Sequence, residues 1–102
     1  MKVFAYGTLL DDAVVLRLTG RRFSKRAAVL AGYRRHAPLG GYPYIVADDT
    51  AEVAGLVLDG VDAEALQAFD RYEDEGSLYH RVEVDVALAG ETERAFVYVK
   101  GK

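Results

Sequence analysis

Tyr79-His80-Arg81-Val82-Glu83-Val84-Asp85-Val86-Ala87-Leu88 alternates without a break. His80, Val82, Val84, Val86 and Leu88 share one face, and Tyr79, Arg81, Glu83, Asp85 and Ala87 share the other, which is the two-residue period of a strand. Ala89-Gly90-Glu91 turns the chain, and Arg94 to Lys100 returns as the partner strand of a hairpin.

Upstream, Asp62 is placed to cap a helix over Ala63 to Tyr72, with Leu66 and Phe69 as its apolar anchors. Val53 to Leu58 reads as a strand closed by Asp59-Gly60, and Tyr44 to Ala47 as a shorter one followed by a turn at Asp48-Asp49-Thr50. Arg34 to Gly41 reads as loop, with Gly40-Gly41-Tyr42-Pro43 as its strongest turn signal. Ala27 to Tyr33 suits a strand. A first helix spans Ala13 to Thr19, capped by Asp11 or Asp12 and stopped at Gly20, and Val3 to Tyr6 is the first strand. The order is β-α-β-β-β-α-β-β. Two helices cannot cover both faces of a six-stranded sheet, so the expected fold is α+β: a small mixed, strongly curled six-stranded sheet or barrel with two main helices.

Composition narrows the function. The 102 residues fit one domain, 1–102, and 51% hydrophobic with 28% charged residues is a globular balance. Lys and Arg number 13 against 16 Asp and Glu, a net charge of −3, so nucleic acid is not expected as a partner. No cysteine is present, which excludes disulfides, thiolate nucleophiles and cysteine metal sites. His36 and His80 stand in no ligand spacing, and a histidine metal site would need carboxylates to complete it. No stretch approaches the ~18 unbroken apolar residues of a membrane span. The N-terminus reads as a strand and not as a signal peptide, so a cytoplasmic location is the default expectation.

Two places could carry chemistry. At Tyr6-Gly7-Thr8-Leu9 a strand ends at Gly and feeds a helix, which leaves backbone N–H groups free for carboxylate or phosphate oxygens. A plain β-to-α turn explains the same residues. Glu73 lies seven residues after Leu66 and four after Phe69, on the apolar stripe of the second helix. If the helix runs that far, the carboxylate is aimed inward, where desolvation and the helix C-terminus raise its proton affinity toward that of a general base. The alternative is a solvated member of the acidic run Asp70, Glu73, Asp74 and Glu75. Tyr79 and Arg81 could contact a substrate or simply pack across strands. Arg21, Arg22, Lys25 and Arg26 read as a charged exposed edge.

Val3-Phe4-Ala5-Tyr6-Gly7-Thr8-Leu9 resembles the opening of the γ-glutamylcyclotransferase-like family, also called AIG2-like. The likeness continues through Gly41-Tyr42-Pro43, Val53 to Leu58, Phe69-Asp70-Arg71-Tyr72-Glu73, Leu78-Tyr79-His80-Arg81 and Ala95 to Val99, so it covers nearly the whole chain in order. The resemblance implies a small α+β barrel with a pocket at its mouth. It implies cyclisation of a γ-glutamyl group to 5-oxoproline with release of an amine or amino acid, without metal or organic cofactor. It places the acid/base glutamate on Glu73, the substrate-cradling loop on Tyr6, Gly7, Thr8 and Leu9, and a pocket tyrosine on Tyr79. The compact chain looks closer to the γ-glutamylamine branch. Glu75 is the rival for the base in another register. A non-catalytic small-molecule-binding domain of the same fold is the second reading. In either case the partner is a small molecule, a γ-glutamyl compound in the first.

Overall fold

The first strand is buried on both sides, and the fold is arranged around it. Along β1 (Val3–Ala5) and into Tyr6, side chains point alternately into two apolar cores. Phe4 and Tyr6 enter one with Leu30, Ile45, Val57, Val86 and Val97, while Val3 and Ala5 join the other with Leu58, Leu66 and Phe69. The first core is the interior of a barrel. The second lies between the barrel wall and the helices. The computed structural model describes residues 1–76 and 78–100.

The remaining elements are a 3-10 turn at Thr8–Leu10, α1 (Asp12–Thr19), β2 (Lys25–His36), β3 (Tyr44–Leu58), α2 (Ala63–Glu73), β4 (Tyr79–Leu88) and β5 (Glu91–Lys100). The strands close in the order β1-β3-β2-β4-β5. β2–β3 and β4–β5 are long antiparallel ladders. The seams are thin: Val29 against Ala87 between β2 and β4, and Val3 parallel to Phe96 between β1 and β5. The α+β class, the curl and the two main helices are as expected. The strand count is five instead of six. Tyr44–Ala47 and Val53–Leu58 belong to one strand, because Asp48 accepts from the backbone and hydroxyl of Thr50 and folds the intervening residues into a bulge opposite Gly32. β2 likewise runs on to His36, through the first residues of the expected loop.

Both helix caps form as the sequence implies. Asp11 accepts from Ala13 N–H and Asp62 from Ala65 N–H, and Gly20 ends α1 in the left-handed conformation. Three of the four residues of the basic cluster form ion pairs. Arg21 meets Asp62, Lys25 meets Asp12, and Arg26 forks to Asp59 and Glu93. Among the described residues no helix is long and apolar enough to cross a membrane.

Phe4 reaches the barrel interior only because Gly55 stands beside it on β3. A Cβ at Gly55 would lie 2.3 Å from the Ala5 carbonyl oxygen and 2.8 Å from the Phe4 ring. Gly55→Ala must therefore push β3 away from β1. The expected loss is roughly 1–3 kcal/mol, typical of overpacking, read as a lower denaturation midpoint at unchanged slope. Wild-type stability in this variant would contradict the packing described.

Candidate functional site

β1 ends at Ala5, and the chain turns at Tyr6-Gly7 into the 3-10 turn. Among the described residues no acceptor meets the N–H groups of Gly7, Thr8 or Leu9. Gly7 packs on Pro43 so closely that a Cβ there would lie 3.2 Å from the proline ring.

The end of α2 lies across from this loop. Ala65, Leu66, Ala68 and Phe69 are buried against the barrel, and the same face carries on to Glu73 at the last helical residue. Asp74 follows in the left-handed conformation, its N–H returning to Arg71 and Asp70 carbonyls. Asp70 fixes this last turn from the side. Its Oδ1 accepts from the Tyr98 hydroxyl at 2.7 Å and from Arg81 Nε at 2.9 Å. Arg81 also lies over the Phe96 ring, so its role is structural packing between α2 and the β4–β5 hairpin.

A pocket of about 120 Å³ opens between these parts. Its walls bring together Tyr6, Gly7, Thr8, Leu9, Glu73 and Tyr79, which are the six residues singled out from the sequence. Glu75 is not among its lining residues. It is exposed, and its carboxylate accepts from Arg81 N–H instead. Tyr42, Pro43, Tyr72, Leu78 and Tyr98 complete much of the wall, and sequence reasoning did not assign them to it. Tyr98 alternates with Val97 and Val99, which marks its face. Its partner Asp70 is 28 residues away, and no local pattern joins them. His36 stacks on Tyr44 and His80 is exposed, and neither lines the pocket.

The electrostatics are uneven. Glu73 is half-buried and accepts no hydrogen bond among the described residues. Burial alone pushes its carboxyl up to about 7. Burial raises the Tyr6, Tyr79 and Tyr98 hydroxyls as well, with the Glu73 charge adding to each. Their protons are committed elsewhere. Tyr6 donates to the Tyr98 carbonyl at 2.6 Å, Tyr98 to Asp70, and Tyr79 more loosely to the Pro43 carbonyl at 3.3 Å. The tyrosine oxygens are left as acceptors. One wall thus offers lone pairs around a carboxylate, and the facing loop offers N–H donors. That arrangement suits a ligand with a protonated nitrogen at one end and oxygen acceptors at the other. No three His, Asp or Glu side chains gather into a metal-binding group among the described residues.

The sequence model described as "Gamma-glutamyl cyclotransferase, AIG2-like" matches residues 3–102. The chain belongs to this family. Protein AIG2 C of Arabidopsis thaliana is 38% identical over 96 residues, which cover 93% of this chain and 57% of that protein. AIG2-like protein C of the same plant is 37% identical over 93 residues, 90% of this chain and 53% of that protein. The chain therefore spans about half the length of the curated AIG2 relatives it matches. A solution structure from Arabidopsis thaliana superposes with a TM-score of 0.87 at 31% identity, covering 97% of this chain and 67% of that one. A solved structure titled "Gamma-glutamyl cyclotransferase" superposes with a TM-score of 0.82 at 21% identity over 99% of this chain and 66% of that one, and shares the fold.

Glu73 links the pocket to folding stability. Its folded proton affinity is raised, from 4.5 to about 7. Below pH 4.5 the carboxyl is neutral in folded and unfolded chains alike. Between pH 4.5 and about 7 the unfolded chain ionises while the folded carboxyl keeps its proton, so stability falls across that window and levels above it. Glu73→Gln should match wild type at pH 4 and melt at a higher temperature than wild type at pH 8. Equal melting temperatures at pH 8 would mean that Glu73 is well solvated or paired.

Proposed function

We propose that this domain cyclises a γ-glutamyl group to 5-oxoproline and releases the amine attached to it, with Glu73 carrying the proton, and that γ-glutamylamines are its substrates. The observation that carries the reading is a half-buried carboxylate that accepts no hydrogen bond among the described residues, has a raised proton affinity, and shares one small pocket with the Tyr6–Leu9 loop. Family membership supports the same reaction class.

The steps follow from the residues. The substrate α-ammonium docks against the Tyr6, Tyr79 and Tyr98 oxygens, and Glu73 accepts one of its protons. The freed amine attacks the γ-carbonyl carbon, forming the ring C–N bond. Glu73 returns that proton to the leaving nitrogen as the old amide C–N bond breaks, then carries the second proton from the ring nitrogen to the released amine, so 5-oxoproline and an ammonium leave. No water or external oxidant enters. The loop N–H groups hold the substrate carboxylate. Ring closure is intramolecular, so positioning supplies much of the acceleration. A proton affinity near neutrality lets one carboxylate serve as base and then as acid.

The test is release of 5-oxoproline from a panel of γ-glutamyl amines and γ-glutamyl amino acids. Glu73→Gln should cost on the order of 10²–10⁴-fold in turnover, the usual worth of one acid/base group. Glu75→Gln should stay close to wild type. Because the base acts ionised, kcat/KM should rise with pH through about 7 and then level. An active Glu73→Gln enzyme, or a dead Glu75→Gln one, would overturn the assignment. Binding of γ-glutamyl compounds by wild type with no turnover would favour the pure binding domain.

A further inference from the structure

We infer that Arg35 is a positioning residue: its guanidinium holds the Tyr6–Gly7 peptide plane so that the Gly7 N–H faces the pocket. The inference rests on the functional reading above for its ligand, and on independent geometry for the residue. Arg35 Nε donates to the Tyr6 carbonyl at 2.8 Å, across 29 residues of sequence. The β1 ladder ends one residue earlier, with Ala5 opposite Leu56, so the Tyr6 carbonyl lies beyond its strand partners. Arg35 sits near the end of β2, paired with Ile45, whose side chain enters the barrel core. From there its side chain crosses the barrel mouth to β1.

A trans peptide is planar, and its carbonyl oxygen and its N–H point in opposite directions. No peptide bond among the described residues is cis. Fixing the Tyr6 oxygen on Arg35 therefore fixes the Gly7 N–H on the other side. Gly7 lines the pocket and Arg35 does not. The hydrogen bond has a charged donor, so it is stronger than a neutral one. It also polarises the peptide and strengthens the N–H as a donor. Pro43 packed on Gly7 limits sideways movement of the same unit. Arg35 does not itself line the pocket; it reaches the wall through the Tyr6–Gly7 peptide, and its charge also acts on the Tyr6 hydroxyl.

Sequence alone does not separate Arg35 from Arg34 beside it. Their partners do. Arg34 pairs with Asp48 on the barrel exterior, 2.7 Å away. Arg35 serves the loop.

The probe is 5-oxoproline, titrated into 15N-labelled protein and followed through the Gly7 amide signal. In wild type that signal should move downfield as the N–H takes up the carboxylate. Arg35→Ala should shift the Gly7 signal already in the free protein and weaken 5-oxoproline binding roughly tenfold or more, the size of one misaimed charge-assisted contact. Arg35→Lys, which retains the charge and a donor, should recover part of the affinity. Arg34→Gln should bind as wild type does. In turnover the loss should fall mainly on KM, because the carboxylate is held in ground and transition states alike. If Arg35→Ala folds, binds 5-oxoproline as tightly as wild type and leaves the Gly7 signal in place, the inference is wrong. An equal loss in Arg34→Gln would reduce the effect to general charge and would also overturn it. If wild type fails to bind 5-oxoproline, the functional reading falls first and this inference falls with it.

Discussion

Asp70 is the joint on which the pocket depends. One carboxylate oxygen takes the Tyr98 hydroxyl and the Arg81 guanidinium together, tying the last turn of α2 to β4 and β5. Glu73 follows three residues later on the same helix, so its place is set by that tie and by the buried Leu66–Phe69 stripe. The same bond commits the Tyr98 proton to Asp70, which does not line the pocket. Without the tie, the helix end would be free to fray, and Glu73 would gain the solvation that now eludes it.

The barrel explains why a helix end and a strand end meet at all. β1 is buried on both faces, and its two neighbours, β3 and β5, bring the wall around to the point where it stops. Its C-terminal end opens into the Tyr6–Leu9 loop at the barrel mouth. α2 packs on the outer side of β1 and β5 and ends at the same mouth. Two groups with opposite hydrogen-bonding character, N–H donors that meet no acceptor among the described residues and a carboxylate near tyrosine hydroxyls, then share one small space. Each is costly to leave unpaired in isolation. Together they suit a ligand that pairs both.

Local patterns revealed much of this. The Asp11 and Asp62 caps, the stop at Gly20 and the alternation of Tyr79–Leu88 are short-range effects, and each forms where the sequence places it. Glu73 was legible because helical spacing carries it onto the stripe of Leu66 and Phe69. The single long β3 was not, because Asp48-Asp49-Thr50 carries turn chemistry and does form a local Asp48–Thr50 link, yet the ladder to β2 resumes beyond it. Tyr98, Asp70, Tyr42 and Arg35 were not legible as parts of one site. Their connections span the barrel, and closure of the sheet brings them together.

In the proposed reaction, function and stability pull on Glu73 in opposite directions. Burial that makes its carboxyl a serviceable base near neutral pH also makes its ionised form a burden on the fold. The most direct measurement is a 13C titration of the Glu73 side-chain carboxyl in the folded, ligand-free protein. The structure predicts a midpoint near 7. A midpoint near the ordinary 4.5 would show a solvated carboxylate and contradict the desolvated base around which the site is interpreted.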